Sequence, residues 1–211
     1  MPNMPKSRVP MFSAIAIVAM VLGAWSAQFM RNDPPTITLS SGTLLHPPRT
    51  VADFQLISHR DESFSQAQLL GHWSVLFFGY TNCPDICPTT LSALTQVKTS
   101  LANLPSNQQP QFIFISVDPG RDTTTQINHY VSFFDQTFIG LTGTPEQLDK
   151  LTQSLGVPVI IQKQNDAHYT VDHAATLFLI DPKGRMTAIF SPPHTAQTLA
   201  KDLRNVIQQT P

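Results

Sequence analysis

Cysteine is almost missing from this chain. Two occur in 211 residues, so one disulfide is the most it can form, and neither precedes position 83, which excludes a lipid-modified N-terminal cysteine. Charge is also sparse, at 13% of residues, and neither sign is in excess: 13 Lys and Arg face 14 Asp and Glu, a formal net charge of -1. Without a basic stripe there is nothing to follow a phosphate backbone, and nucleic acid is excluded as a partner. No segment repeats. What is present is apolar material, 41% of the chain, enough to build the core of one ordinary domain.

Charge is absent altogether from residues 9–30, between a short basic start holding Lys6 and Arg8 and the polar triplet Arg31-Asn32-Asp33. As a helix this stretch would cover about 33 Å, against a bilayer core of roughly 30 Å. We expect residues 1–8 to form a cytoplasmic tail and residues 9–30 a transmembrane anchor oriented by Lys6 and Arg8. The alternative is a cleaved signal peptide ending near Ala24-Trp25-Ser26. Either reading exports the remainder. The short tail points to a bacterial inner membrane, crossed once, with the C-terminal domain in the periplasm. Residues 31–50, with Pro34, Pro35, Pro47 and Pro48 among Thr and Ser, read as an extended tether, and residues 51–211 as the folded domain.

Within that domain, apolar periodicity predicts a short strand at residues 53–57, one or two helical turns at 65–70, and a buried strand at 73–80. A helix follows, with Leu91, Leu94, Val97, Leu101 and Leu104 at helical spacing. Next come a buried strand at 111–118, a helix at 124–134, a short strand at 137–141, and a helix at 145–155 between the N-cap Thr144 and Gly156. Residues 157–162 and 168–171 read as a hairpin, and 176–180 with 185–190 as a second one around Asp181-Pro182-Lys183-Gly184. A helix at 195–208 closes the chain. Strand, helix, strand, helix, hairpin, helix is the order of an α/β thioredoxin-like fold, a mixed central sheet flanked by helices.

Both cysteines lie in Gly79-Tyr80-Thr81-Asn82-Cys83-Pro84-Asp85-Ile86-Cys87-Pro88, between the 73–80 strand and the next helix. Over one helical turn their Cβ atoms would stand roughly 5 to 6 Å apart, within reach of a shared metal or, after slight adjustment, of a disulfide. A helix N-terminus lowers a thiol pKa, so both thiols are expected to be primed as thiolates. A structural disulfide is the plainer reading in an oxidising compartment. It would close a loop of only about five residues and so remove little chain entropy. Chemistry is the better explanation.

Three separated motifs carry a family resemblance: Tyr80-Thr81-Asn82-Cys83-Pro84-Asp85-Ile86-Cys87-Pro88; Ser116-Val117-Asp118-Pro119 with Arg121-Asp122-Thr123; and Val171-Asp172-His173 before a strand ending Ile180-Asp181-Pro182-Lys183-Gly184. In this order, and across about residues 51–207, they resemble the SCO/SenC family. The resemblance implies a copper chaperone that helps assemble the CuA centre of cytochrome c oxidase. It implies Cys83, Cys87 and His173 as ligands for Cu(I) and Cu(II). The partners implied are oxidase subunit II, an upstream copper donor and a thiol reductant. The residues converge on the same trio, because the strands at 73–80 and 111–118 should end where the strand at 176 begins, just after His173. Two soft thiolates and an imidazole suit copper. Zinc accepts the same donors, but a closed structural zinc site wants a fourth ligand and none stands at motif spacing.

Of the other histidines, His72 lies at the far end of the sheet, His46 in the tether, and His59, His129 and His168 have no reason to be ligands. His194 is the runner-up. Asp85, Asp118, Arg121 and Asp172 are candidates for supporting the ligands or docking a partner, with loop capping, an ion pair or plain exposure as the alternative. The chain reads as a metallochaperone more than an enzyme. The competing function is a thiol-disulfide oxidoreductase using Cys83 and Cys87 as a redox pair, and a third is a copper-dependent redox sensor. Three residues between the cysteines where thioredoxins have two, and Ala174-Ala175 where thioredoxins carry a cis-proline, count against efficient thiol exchange. Ala174 also departs from the family pattern, in which a hydroxyl residue follows the histidine.

Overall fold

The computed structural model of the chain describes residues 11–30, 38–163, 169–173 and 175–209; for 159–163, 169–173 and parts of the first helix it describes the backbone alone. The chain divides into two units, Met1–Thr36 and Ile37–Pro211. In the first unit the apolar stretch forms helix α1, Met11–Met30, whose 20 residues carry no charge. Among the residues described in full, side chains included, no helix is long and apolar enough to cross a membrane.

The second unit is built on an eight-stranded sheet. Its first strand, β1 (Gly42–Thr50), is followed by β2 (Gln55–Ser58) and β3 (Ser63–Ser65). Then come β4 (Ser74–Gly79), helix α2 (Ile86–Leu101), β5 (Gln111–Ser116), α3 (Thr124–Phe134), β6 (Ile139–Thr142) and α4 (Pro145–Leu155). Strands β7 (Val159–Lys163) and β8 (Tyr169–His173) pair with each other in a separate two-stranded sheet. The chain finishes with β9 (Leu177–Ile180), β10 (Arg185–Phe190) and α5 (Ala196–Gln209). The order across the large sheet is β1-β10-β9-β4-β5-β6-β2-β3. β4, β5 and β6 run parallel, while β9 runs antiparallel to β4 with Leu177 opposite Phe77.

The apolar runs form the central strands because every residue of β4 is buried. Successive side chains of a strand point to opposite faces. Val75 and Phe77 join Phe112 and Phe114 against Leu91, Leu94 and Val97 of α2, Val131 of α3 and Leu203 of α5. Leu76, Phe78, Ile113 and Ile115 face the other way, against Leu148, Leu151 and Leu155 of α4 and against Phe54 and Leu56. Helices therefore cover both faces of a mixed sheet, as expected of a thioredoxin-like fold. The helix ends follow local chemistry. Thr123 and Gln126 form a reciprocal capping box on α3. Thr144 accepts from the Gln147 N–H at the start of α4, and Gly156 ends it in the left-handed conformation at φ 70°.

One boundary needs correction. Residues 31–50 are not all tether: Gly42–Thr50 is strand β1, antiparallel to β10, with Gly42 opposite Phe190 and Thr50 opposite Arg185. Two contacts outweigh the proline-rich composition. Leu39 and Leu44 pack on the core, and the fully buried Asp202 carboxylate on α5 accepts from the Ser40 and Ser41 N–H groups and the Ser41 hydroxyl at 2.8 to 3.0 Å. The domain thus takes in Leu39 and the residues after it, and does not start at residue 51. Pro47 and Pro48 lie where the register of β1 breaks, between Leu44 and Arg49. The strand expected at 137–141 is displaced to Ile139–Thr142, because Asp135 holds the Thr137 N–H and hydroxyl in a turn at 2.8 and 2.7 Å.

Candidate metal centre

β4 ends at Gly79 and α2 begins at Ile86, inside the cysteine motif and not after it. Cys83 consequently lies in the connecting turn, its N–H donating to the Tyr80 carbonyl at 3.2 Å, while Cys87 lies in the first turn of the helix. Pro88 is tolerated there because first-turn N–H groups have no intrahelical acceptor. Cys87 is fully buried and Cys83 half-buried against both apolar clusters. A Cβ on Gly79 would stand 2.7 Å from the Cys87 sulfur and 2.7 Å from the Phe114 ring, so only glycine lets α2 close on the strand at this point.

The two cysteines are thiols, and the Cys87 S–H donates to the Cys83 sulfur. This hydrogen bond first, and burial second, push the Cys87 thiol well above its ordinary pKa, against a smaller opposing effect from a backbone hydrogen bond with Tyr80. The expectation that both thiols are primed as thiolates therefore fails for Cys87. The N-terminal position on α2 favours the anion, but losing the proton would break the thiol–thiol bond at a fully buried sulfur. A soft metal that replaces the proton removes that penalty, whereas a solution nucleophile does not.

A buried carboxylate holds the turn. Asp122 accepts from the Thr81 N–H at 2.8 Å, the Thr81 hydroxyl at 2.6 Å and the Ser116 hydroxyl at 2.6 Å, tying the cysteine turn to the end of β5. Beside it, Arg121 pairs with the buried Asp118 and lies over the Tyr80 ring at 5.6 Å. Asp118 and Arg121 thus stand at the cysteine end of the sheet as a local ion pair. Asp85 is exposed, makes no side-chain cap to α2, and accepts a long 3.4 Å bond from the Thr89 hydroxyl.

His173 ends β8, opposite Val159, and Asp172 stands opposite Ile160. Four residues after His173, Leu177 pairs with Phe77 near the end of β4, at the cysteine end of the sheet. The side chains of His173 and Asp172, and all of His168 and Ala174, lie outside the described residues. Among the described residues no group of three or more His, Cys, Asp or Glu is arranged to hold a metal ion.

The model of the SCO1/SenC family matches residues 43–208. The chain belongs to the SCO1/SenC family. It is 32% identical over 204 residues to the mitochondrial SCO2 homolog of Bos taurus, covering 96% of this chain and 77% of that protein. Among solved structures, copper-bound ScoI of Bradyrhizobium japonicum superimposes with a TM-score of 0.66 at 35% identity, over 74% of this chain and 98% of that one. Apo Sco1 of Thermus thermophilus gives a TM-score of 0.71 at 34% identity, over 82% and 99%.

For a SCO1/SenC chain, the remaining candidate histidine occupies an unexpected place. The His194 Nε2 hydrogen-bonds the Ala175 carbonyl, two residues beyond His173, and its Nδ1 is buried with no hydrogen-bond partner among the described residues. One of its ring nitrogens is thus committed to the Ala175 backbone. His72 is exposed and precedes β4, at the opposite end of the sheet. Sequence reasoning misses Gly79, Thr81 and Asp122 as parts of the site. Each stands inside a recognisable motif, but the Thr81–Asp122 bond spans 41 residues and leaves no local periodicity.

Proposed function

We propose that this protein is a membrane-anchored copper chaperone of cytochrome c oxidase assembly, holding copper through Cys83, Cys87 and His173. The observation that carries this reading is the pair of hydrogen-bonded thiols closed between Gly79 and the first turn of α2. It occurs in a chain of the family in which a 35% identical relative was solved with copper bound. Two thiolates give Cu(I) a two-coordinate soft site, and an imidazole extends it to Cu(II). Copper is the cargo, received from an upstream donor and passed to the CuA site of oxidase subunit II. Helix α1, 20 uncharged residues and about 30 Å long, supports a single crossing of a bacterial inner membrane with the sheet domain in the periplasm.

The same two sulfurs either ligate copper or bond to each other. A metal that binds only the dithiol at a thousandfold excess over Kd stabilises it by about 4 kcal/mol, which lowers the disulfide potential by roughly 90 mV. Copper loading therefore protects the thiols, and each delivery leaves them dependent on a thiol reductant. Thiol-disulfide exchange with partner cysteines is the second reading, favoured by the thiol pair itself; the buried, proton-holding Cys87 makes a poor attacking sulfur.

The test is anaerobic Cu(I) titration of the reduced full-length chain in detergent, with metal analysis. One copper per chain is expected, and His173→Ala should weaken Cu(II) binding more than Cu(I). Unchanged Cu(II) spectra and affinity in His173→Ala would remove His173 from the site, and absence of copper binding would leave the exchange reading.

A further inference from the structure

Tyr130 lies on α3, with its ring 5.5 Å from the Phe114 ring and 5.5 Å from Phe134. Phe114 is the ring that meets the space above Gly79 beside the Cys87 sulfur, so Tyr130 belongs to the wall of the cysteine pocket. Its hydroxyl is buried and has no hydrogen-bond partner among the described residues. A phenylalanine would make the same ring contacts without burying an unpaired hydroxyl, which is unfavourable. Burial first of all raises the Tyr130 pKa above its ordinary value. The oxygen therefore keeps its proton and remains a donor, on a ring that packs against the Phe114 ring beside the Cys87 sulfur.

The metal-free pocket offers that donor little, because the Cys87 S–H already bonds to Cys83. Copper binding changes the sulfurs. Two thiols lose two protons to solvent, two metal–sulfur bonds form, and the thiol–thiol hydrogen bond disappears. Both sulfurs then accept only. Resting on the copper reading above, we infer that Tyr130 is a positioning residue of the site: its O–H is the donor that pairs with the Cys87 thiolate once copper has displaced the thiol protons. The hydroxyl, without a partner among the described residues while the thiols hold their protons, is satisfied once those protons are displaced, which favours the loaded state.

The test compares the unaltered full-length chain with Tyr130→Phe. A hydrogen bond lowers the energy of sulfur lone pairs, so Tyr130→Phe should move the Cu(II)–thiolate charge-transfer band to longer wavelength and weaken Cu(I) binding by about tenfold. The metal-free variant should be no less heat-stable than the unaltered protein. A purely structural hydroxyl would give the reverse, a less stable metal-free protein with an unmoved band. Fluorinated tyrosine at position 130, a stronger donor of similar shape, should move the band to shorter wavelength and decides the matter if Tyr130→Phe folds poorly. An unmoved band and unchanged affinity in both, with copper still bound by the unaltered chain, would overturn this inference alone. Failure of the unaltered chain to bind copper would bring down the copper reading with it.

Discussion

The two ends of the parallel strands carry similar residue types and do different work. At the end where β4 and β5 finish, Cys83 and Cys87 meet a carboxylate, Asp122, that holds the turn. At the other end a cavity of about 500 Å³ is lined by His59, His72, Glu62, Arg60 and Gln111, a set that on composition alone looks as capable of holding a metal. Geometry separates them. The Gly140 N–H donates to Nδ1 of the buried His59 at 3.0 Å, so this imidazole is a fastening between β2 and β6. His72, on the cavity's rim, is exposed. The cysteine end has soft donors, a glycine that lets a helix close over them, and an amide-rich helix start. Residue type proposes a ligand, and what each donor is already bonded to decides.

The strongest way to break this contrast is by ligand removal. Cys83→Ser or Cys87→Ser should each lower Cu(I) affinity by more than about a hundredfold, beyond the range set by outer partners of a metal site. His59→Asn and His72→Ala should change it by less than about twofold. A Cu(I) competition titration reads all four, and a comparable loss from either histidine variant would make the far cavity part of the site.

Next in size is the turn itself. Asp122→Ala strips three hydrogen bonds from a buried cluster and should cost about 2 to 4 kcal/mol of stability in urea unfolding. Gly79→Ala forces a methyl onto the Cys87 sulfur and Phe114, with an expected loss of about 1 to 3 kcal/mol and weakened copper binding. If Gly79→Ala keeps full copper affinity, the closeness of helix and strand is not what shapes the sulfur pair.

The smallest effect is at the far end. Burial holds the His59 pKa below its ordinary 6.5. The unfolded chain therefore takes up this proton near pH 6.5 and the folded chain only at lower pH. His59 contributes no loss above about pH 6.5, a growing loss as pH falls from there, and no further loss below the folded value. His59→Gln, which keeps an acceptor for the Gly140 N–H, should flatten the fall in urea midpoint between pH 7.5 and 5. An unchanged slope would assign that fall to other groups.

Much of this frame could be read from residue order, and the exceptions share a cause. β4 and β5 were legible as uninterrupted apolar runs, closed by Gly79 in one case and by Asp118-Pro119 in the other. α3 was legible as a helix at 124–134, and α4 from Thr144 and Gly156. β1 was not, because Pro47 and Pro48 give it the composition of a linker while its partner strand begins at Arg185 and its latch is Asp202. The proton held on Cys87 was not legible either, since helix position argues for a thiolate and the opposing hydrogen bond comes from the way the turn folds back. The candidate ligands were visible because their spacing is local. The groups that shape them, Asp122 and Tyr130, act across the fold.

β1 also bears on how copies of this protein meet one another. An open sheet of eight strands has two raw margins, and a margin with unused amide and carbonyl groups invites a strand from a neighbouring molecule. Here β1 is one margin, and Pro47 and Pro48 have no N–H to offer along its middle. The other is β3, three residues long, too short to template anything. Along these two margins of the large sheet, molecules crowded together find little to stitch into ribbons edge to edge.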